Sequence, residues 1–138
     1  MYKYSSSLFA LTFFLFIQSA AAEHRVSFSK DIRQILTNHC FQCHGPDEKN
    51  RAAELRLDSF AGATALRNGA AAITPGNPEK SLLVERIKSE DETIKMPPRE
   101  LKKDLSADQI ALLERWIAEG AEYEDHWAFS TLKRPNLP

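Results

Sequence analysis

The chain has only two cysteines, Cys40 and Cys43, and a histidine, His44, directly follows the second. This pentapeptide, Cys40-Phe41-Gln42-Cys43-His44, constrains the fold more than any other stretch. Two cysteines at this spacing with an adjoining histidine form the pattern of covalent c-type haem attachment. On a helical turn, positions i and i+3 share a face. Both thiols can therefore meet the two vinyl groups along one edge of a porphyrin. His44 lies four residues from Cys40, where its imidazole can reach under the ring to the iron, as a proximal histidine does. A chain built this way folds around a large apolar body that is not protein.

Three plainer readings use the same residues. A thioredoxin-like redox pair wants a βαβ context, and no strand-rich pattern surrounds this one. A zinc site wants four ligands, usually from a second Cys/His pair. The other histidines, His24, His39 and His126, are scattered singly. A simple disulfide suits an exported protein.

Export is written at the start of the chain. Lys3 gives a short positive region, residues 8–17 are apolar, and Ala20-Ala21-Ala22 offers a small-residue cleavage site. Residues 1–22 read as a secretory signal peptide. The apolar run, interrupted by Thr12, Gln18 and Ser19, is short for a membrane span. An uncleaved anchor is the alternative. Bacterial c-type haem is attached outside the cytoplasmic membrane, so the signal and the pentapeptide support each other. An exported, periplasmic or extracytoplasmic location follows as an expectation, with no membrane span in the mature form.

At 138 residues the chain has room for one domain. Without its signal it is small for a core of its own, and a porphyrin in the middle would compensate. The formal net charge is −1, with no basic patch of the kind nucleic acid requires. No charge block marks a disordered tail, and no repeat is visible.

In chain order, Ser29 is a candidate N-cap, with Asp31 in the first turn. Ile32, Ile35 and Leu36 form a stripe that continues to Cys40 and Cys43. Gly45-Pro46 ends this helix after His44. Leu55-Arg56-Leu57-Asp58 alternates like a short extended segment. Arg56 there is either a partner for a haem propionate or an ordinary exposed arginine. A short helix over 59–68 is expected to stop at Gly69. Asn77-Pro78 opens another, running to about residue 88 and presenting Leu83 and Ile87 at i, i+4.

Met96-Pro97-Pro98 follows a polar loop. Once the signal is removed, Met96 is the remaining methionine. A methionine opposite the proximal histidine raises the potential relative to two histidines, and two prolines stiffen the backbone behind it. A methionine filling a core gap is the alternative. His24, His39 or His126 could compete as ligands, and so could an open site.

The last helix is the most fully specified. Ser106 caps it, Gln109 completes a capping box, and Leu105 with Ile110 can form a hydrophobic staple. Ile110, Leu113 and Ile117 form the stripe, Trp116 lies beside it at the haem edge or against the first helix, and Gly120 ends it. Residues 122–138, with His126-Trp127-Ala128-Phe129, read as a linker leaving the domain.

Taken together, these pieces resemble a class I cytochrome c, and more narrowly the planctomycete-type cytochrome c domain. The matching motifs are Phe28-Ser29-Lys30-Asp31-Ile32-Arg33-Gln34-Ile35-Leu36, the Cys40–His44 pentapeptide with Gly45-Pro46, Leu55-Arg56-Leu57-Asp58, Pro75-Gly76-Asn77-Pro78, Ser81-Leu82-Leu83, Met96-Pro97-Pro98 and Leu112-Leu113-Glu114-Arg115-Trp116-Ile117. They run through the mature chain to about Trp127. The resemblance implies an all-α domain over residues 23–121, with four to five helices around one covalent haem c and crossing first and last helices. It implies Cys40 and Cys43 as the attachment residues, His44 as proximal ligand and Met96 as distal ligand. Arg56 and Trp116 join them as candidate haem-contacting residues. In many relatives this domain heads a longer protein.

The expected activity is single-electron transfer between redox partner proteins, with no catalytic residue, after assembly by the haem c maturation machinery. One rival is an open-site haem protein with peroxidase-like or ligand-binding activity. The other is a zinc or disulfide module without haem.

Overall fold

The first helical segment begins earlier than its sequence suggests. In the computed structural model, which describes residues 24–124, Ser27 rather than Ser29 is the N-cap. Its side chain accepts from the Lys30 N–H, and its own N–H donates to the Asp31 carboxylate at 2.9 Å. Asp31 reaches back to Ser27, so the chain closes a π-helical turn, Phe28–Ile32, with Phe28 and Ile32 turned into the core. Helix α1 (Arg33–His39) continues from it. The expected signal peptide, residues 1–22, and also His126 and most of the expected linker lie outside the described residues.

The expected single helix over 29–44 is interrupted. Cys40 leaves helical geometry at φ −124°, and a separate turn, α2 (Phe41–His44), follows. Beyond it come α3 (Phe60–Thr64), the strands β1 (Leu66–Arg67) and β2 (Ala70–Ala71), α4 (Leu82–Lys88) and α5 (Ala107–Ala118). Short 3-10 turns occupy Pro78–Lys80 and Arg99–Leu101. Among the described residues the chain is thus mostly helical, with five α-helices and one small sheet, where an all-α domain was expected.

That sheet corrects the reading of Gly69. The helix expected to run to residue 68 stops at Thr64, and β1 and β2 pair antiparallel with Leu66 opposite Ala71 and Arg67 opposite Ala70. Asn68 and Gly69 stand between them at φ +51° and +85°. Two successive positive φ values are what a type I′ hairpin turn demands, and Asn-Gly meets that demand best. Gly69 closes a hairpin and caps no helix. Arg67 holds the hairpin down by donating to the carbonyls of Gly62 and Glu54, both at 2.9 Å.

The helix expected over 77–88 is also divided. Ser81, 1% exposed, has extended backbone, and its Oγ accepts from the Thr74 N–H and donates to the Asn77 carbonyl, both at 2.9 Å. A buried hydroxyl needs such partners, and satisfying them bends the chain before α4 begins.

Helix α5 follows its sequence closely. Ser106 Oγ accepts from the Gln109 N–H, Gln109 Oε1 accepts from the Ser106 N–H, and Gly120 lies at φ +110° just beyond the end. Leu113, Trp116 and Ile117 are buried, and Leu105 and Ile110 pack at the margin of the core. The Phe28–Ile32 turn and α4 both pack against α5. The aromatic rings of Phe28, Trp116 and Tyr123 form the centre of this contact, with centroids 4.4 to 5.7 Å apart. Burying a large apolar side chain contributes about 1.5–3 kcal/mol, so this layer is a substantial part of what protein alone supplies to stability.

The two ends of the domain are tied together. Glu119 accepts from the Val26 N–H and from Arg115 Nε, each at 2.7 Å. The first residues of the expected linker are part of the packing. Trp116 Nε1 donates to the Glu122 carbonyl at 3.1 Å, Tyr123 packs on Phe28, and the Glu124 carboxylate accepts from Ser27 and Ser29. The Val26 N–H and then Arg115 hold the Glu119 carboxyl below its usual range. A depressed native pKa adds stability above the unfolded value that is lost as pH falls. Glu119→Gln should therefore lower stability near pH 7 and flatten the loss of stability as pH falls through the ordinary glutamate value of about 4.3. Denaturant titrations at stepped pH would check this, and an unchanged acid limb would rule the clamp out.

Candidate functional site

Helix α2 is too short to hold itself, and the following loop does that work. The carbonyls of Cys43 and His44 accept from the N–H groups of Ala52 and Leu57, at 2.7 and 2.8 Å. Arg51 donates to the carbonyls of Gly45 and Pro46 at 3.2 and 2.8 Å. The carbonyls that a helix end leaves without partners are thereby satisfied, and the pentapeptide is fixed from behind. Gly45 is needed here because a Cβ would run into the Phe41 carbonyl.

In front of α2 lies a cavity of about 670 Å³, within the range of small-molecule and cofactor sites. Cys40, Cys43 and His44 line it, and so does Met96, 52 residues past His44 in the sequence. Leu83 and Ile87 of α4 contribute an apolar wall, as their i, i+4 spacing suggests, joined by Leu55 and Leu57. Pro97 and Pro98 complete the side carrying Met96. The Met96–Pro97 peptide is cis.

The Met96 loop is anchored by its backbone. Met96 N–H donates to the Arg86 carbonyl near the end of α4 at 3.0 Å. The preceding turn is closed by Asp91, whose carbonyl accepts from Lys95 and Ile94 and whose carboxylate accepts from the N–H and hydroxyl of Thr93. Arg99 braces the outside by pairing with Glu92 at 2.5 Å.

The donor chemistry is that of a cofactor site. The Nδ1 of His44 is buried with no hydrogen-bond partner, and burial pushes the imidazole towards its neutral form. The Ala52 backbone opposes this without giving Nδ1 a partner, and Arg86 reinforces it. Neutral imidazole is the form that ligates metal. The Cys40 thiol is pushed up to about 12, chiefly by burial, with nearby Lys103 acting weakly the other way. A thiol held so firmly protonated is a poor nucleophile, which argues against a thioredoxin-like role. Both cysteines are free thiols, and among the described residues no three His, Cys, Asp or Glu side chains gather as a metal group. The zinc and disulfide readings gain nothing from this geometry. An apolar cavity lined by two thiols, an imidazole that burial pushes towards its neutral form and a thioether fits a porphyrin.

Two candidates from the sequence are not brought to the cavity. Arg56 is bidentate to Asp58, at 2.6 and 3.0 Å. Trp116 is 1% exposed in the core, with its indole N–H committed to Glu122. His39 does line the cavity, but its ring bridges elsewhere. Nδ1 meets the Lys103 carbonyl at 2.7 Å, and Nε2 faces the Gln109 amide at 3.4 Å. With Nδ1 donating to that carbonyl, Nε2 is left to accept from the Gln109 amide. His24 is exposed and outside the cavity. Sequence reasoning missed Arg86 and Arg67, which both line the wall. Arg86 directly precedes Ile87, and that adjacency was the only local hint.

Residues 40–100, from Cys40 through the Met96 loop, match the family model described as planctomycete cytochrome C. The match stops short of α1 and α5, so it is narrower than the motif resemblance. No curated protein and no solved structure matches the chain.

Proposed function

Because residues 40–100 are a planctomycete-type cytochrome c domain, we propose that this chain is an exported mono-haem electron carrier with His44 and Met96 as axial ligands. One observation carries the reading: a single apolar cavity gathers Cys40, Cys43, His44 and Met96. When bound there, a haem iron supplies one-electron chemistry between Fe(II) and Fe(III).

The chain's own residues do the rest. Cys40 and Cys43 would hold the group covalently through their sulfur atoms. His44, which burial pushes towards its neutral form, would offer a ring nitrogen, and Met96 would offer sulfur from a loop that α4 anchors. The apolar wall of Leu55, Leu57, Leu83 and Ile87 excludes water and lowers the local dielectric, which tunes the potential. No residue of the site is assigned bond chemistry on a substrate. The wrapped arrangement is that of a class I cytochrome c, and the partners are redox proteins and the maturation machinery that attaches the haem. The signal-like start supports export. No described helix is long and apolar enough to cross a membrane.

The test is an absorption spectrum of oxidised and reduced protein made with the c-type maturation machinery, followed by acid–acetone extraction. The expected result is a low-spin spectrum with a far-red iron–thioether band, and haem that stays with the polypeptide. Protein that takes up no haem, while a control cytochrome matures alongside it, would sink the reading.

A further inference from the structure

Arg86 is a cation on the cavity wall with no counter-anion among the described residues. It stands on α4 between Leu83 and Ile87, which line the same cavity. Its guanidinium has one long bond, from Nη1 to the Ile94 carbonyl at 3.5 Å, and no carboxylate partner. The neighbouring arginines are committed. Arg67 donates to the carbonyls of Gly62, Ala65 and Glu54, Arg56 is bidentate to Asp58, and Arg51 donates to Gly45 and Pro46. A half-buried guanidinium against an apolar wall is costly unless an anion meets it. Its planar fork is matched to a carboxylate. The same residue's carbonyl holds the Met96 N–H at 3.0 Å.

We propose that Arg86 is a positioning residue that receives a carboxylate of the bound ligand, a haem propionate, while its carbonyl holds the Met96 loop. This rests on the haem reading above, and it moves to Arg86 the role that the sequence suggested for Arg56. A cation in that place favours the less positive, reduced iron, and its loss leaves a propionate uncompensated.

Redox titration of the holoprotein tests this. Arg86→Gln should shift the Fe(II)/Fe(III) equilibrium towards Fe(III) by about tenfold, as removal of a unit charge from a low-dielectric site predicts, equivalent to about 59 mV for one electron. Arg86→Lys keeps the charge and should stay within about threefold of the parent. Arg56→Gln should also stay within about threefold, because its charge is already paired and part-exposed. A shift below threefold in Arg86→Gln, or an equal shift in Arg56→Gln, overturns the proposal. A second readout needs no variant. In the assigned NMR spectrum of the reduced parent, Arg86 side-chain N–H protons should show Overhauser contacts to propionate methylenes. Their absence overturns the proposal even if Arg86→Gln fails to accumulate. A parent chain that takes up no haem defeats the functional reading itself, an outcome distinct from either of these.

Discussion

Replacing Met96 by alanine should convert the haem iron from low-spin to high-spin, abolish the far-red band and lower the reduction potential. The expectation rests on how few substitutes are at hand. The other methionine is Met1, within the expected signal segment. His39 lines the cavity, but both of its ring nitrogens face other partners, the Lys103 carbonyl and the Gln109 amide. His24 lies outside the cavity, and its carbonyl accepts from Arg115. The loop itself has little freedom to bring in another donor, since Arg86 pins Met96 from one side and two prolines follow it. Met96→His should restore a low-spin iron at a lower potential than the parent, because two imidazoles favour the oxidised state more than imidazole with thioether. His24→Ala and His126→Ala should leave the spectrum unchanged. Optical and EPR spectra of the four variants decide the matter. A high-spin His126→Ala beside a low-spin Met96→Ala would transfer the ligand role to His126.

Trp116→Ala should cost about 3–5 kcal/mol of stability, the usual range for truncating a buried aromatic. Small domains have about 5–15 kcal/mol in total, so this one change removes a large share. Trp116 is 1% exposed, its ring contacts Phe28 and Tyr123, and its indole N–H holds the Glu122 carbonyl. Truncation opens a cavity in the layer where the N-terminal turn meets α5, and it also loosens the segment that carries Tyr123. Trp116→Phe should cost less, since it keeps the ring contact and loses mainly the hydrogen bond and some volume. Denaturant unfolding of the holoprotein measures both. Trp116 does not line the cavity, which adds a second expectation, a reduction potential close to the parent's in Trp116→Phe. A loss below about 1 kcal/mol in Trp116→Ala would contradict the packing argument. A large potential shift in Trp116→Phe would return Trp116 to the haem edge.

Much of this site can be read from short stretches. The pentapeptide, the capping box of α5 and the stiff Met-Pro-Pro segment are each defined within a few residues, and their chemistry depends on that spacing alone. The hairpin was also present locally as Asn68-Gly69. Its strands are two residues long, too short for an alternating pattern, and Gly69 after a run of small residues also fits a helix end. The helix break at Ser81 had no such signal, because it depends on a hydroxyl meeting Thr74 and Asn77 inside the fold.

The sequence by itself determined the chemistry, with two thiols and an imidazole in one pentapeptide and a thioether on a rigid loop, because covalent and ligand chemistry is set by residue type and near spacing. The tertiary structure decided which residues share the cavity. Arg56 finds its carboxylate two residues away and stays there, while Arg86 is carried to the cavity wall by the packing of Leu83, Val84 and Ile87 on α4. Trp116 is kept in the core by its contacts with Phe28 and Tyr123, residues 88 positions before it and 7 after. Contacts of that range depend on how whole elements pack, which no local pattern specifies.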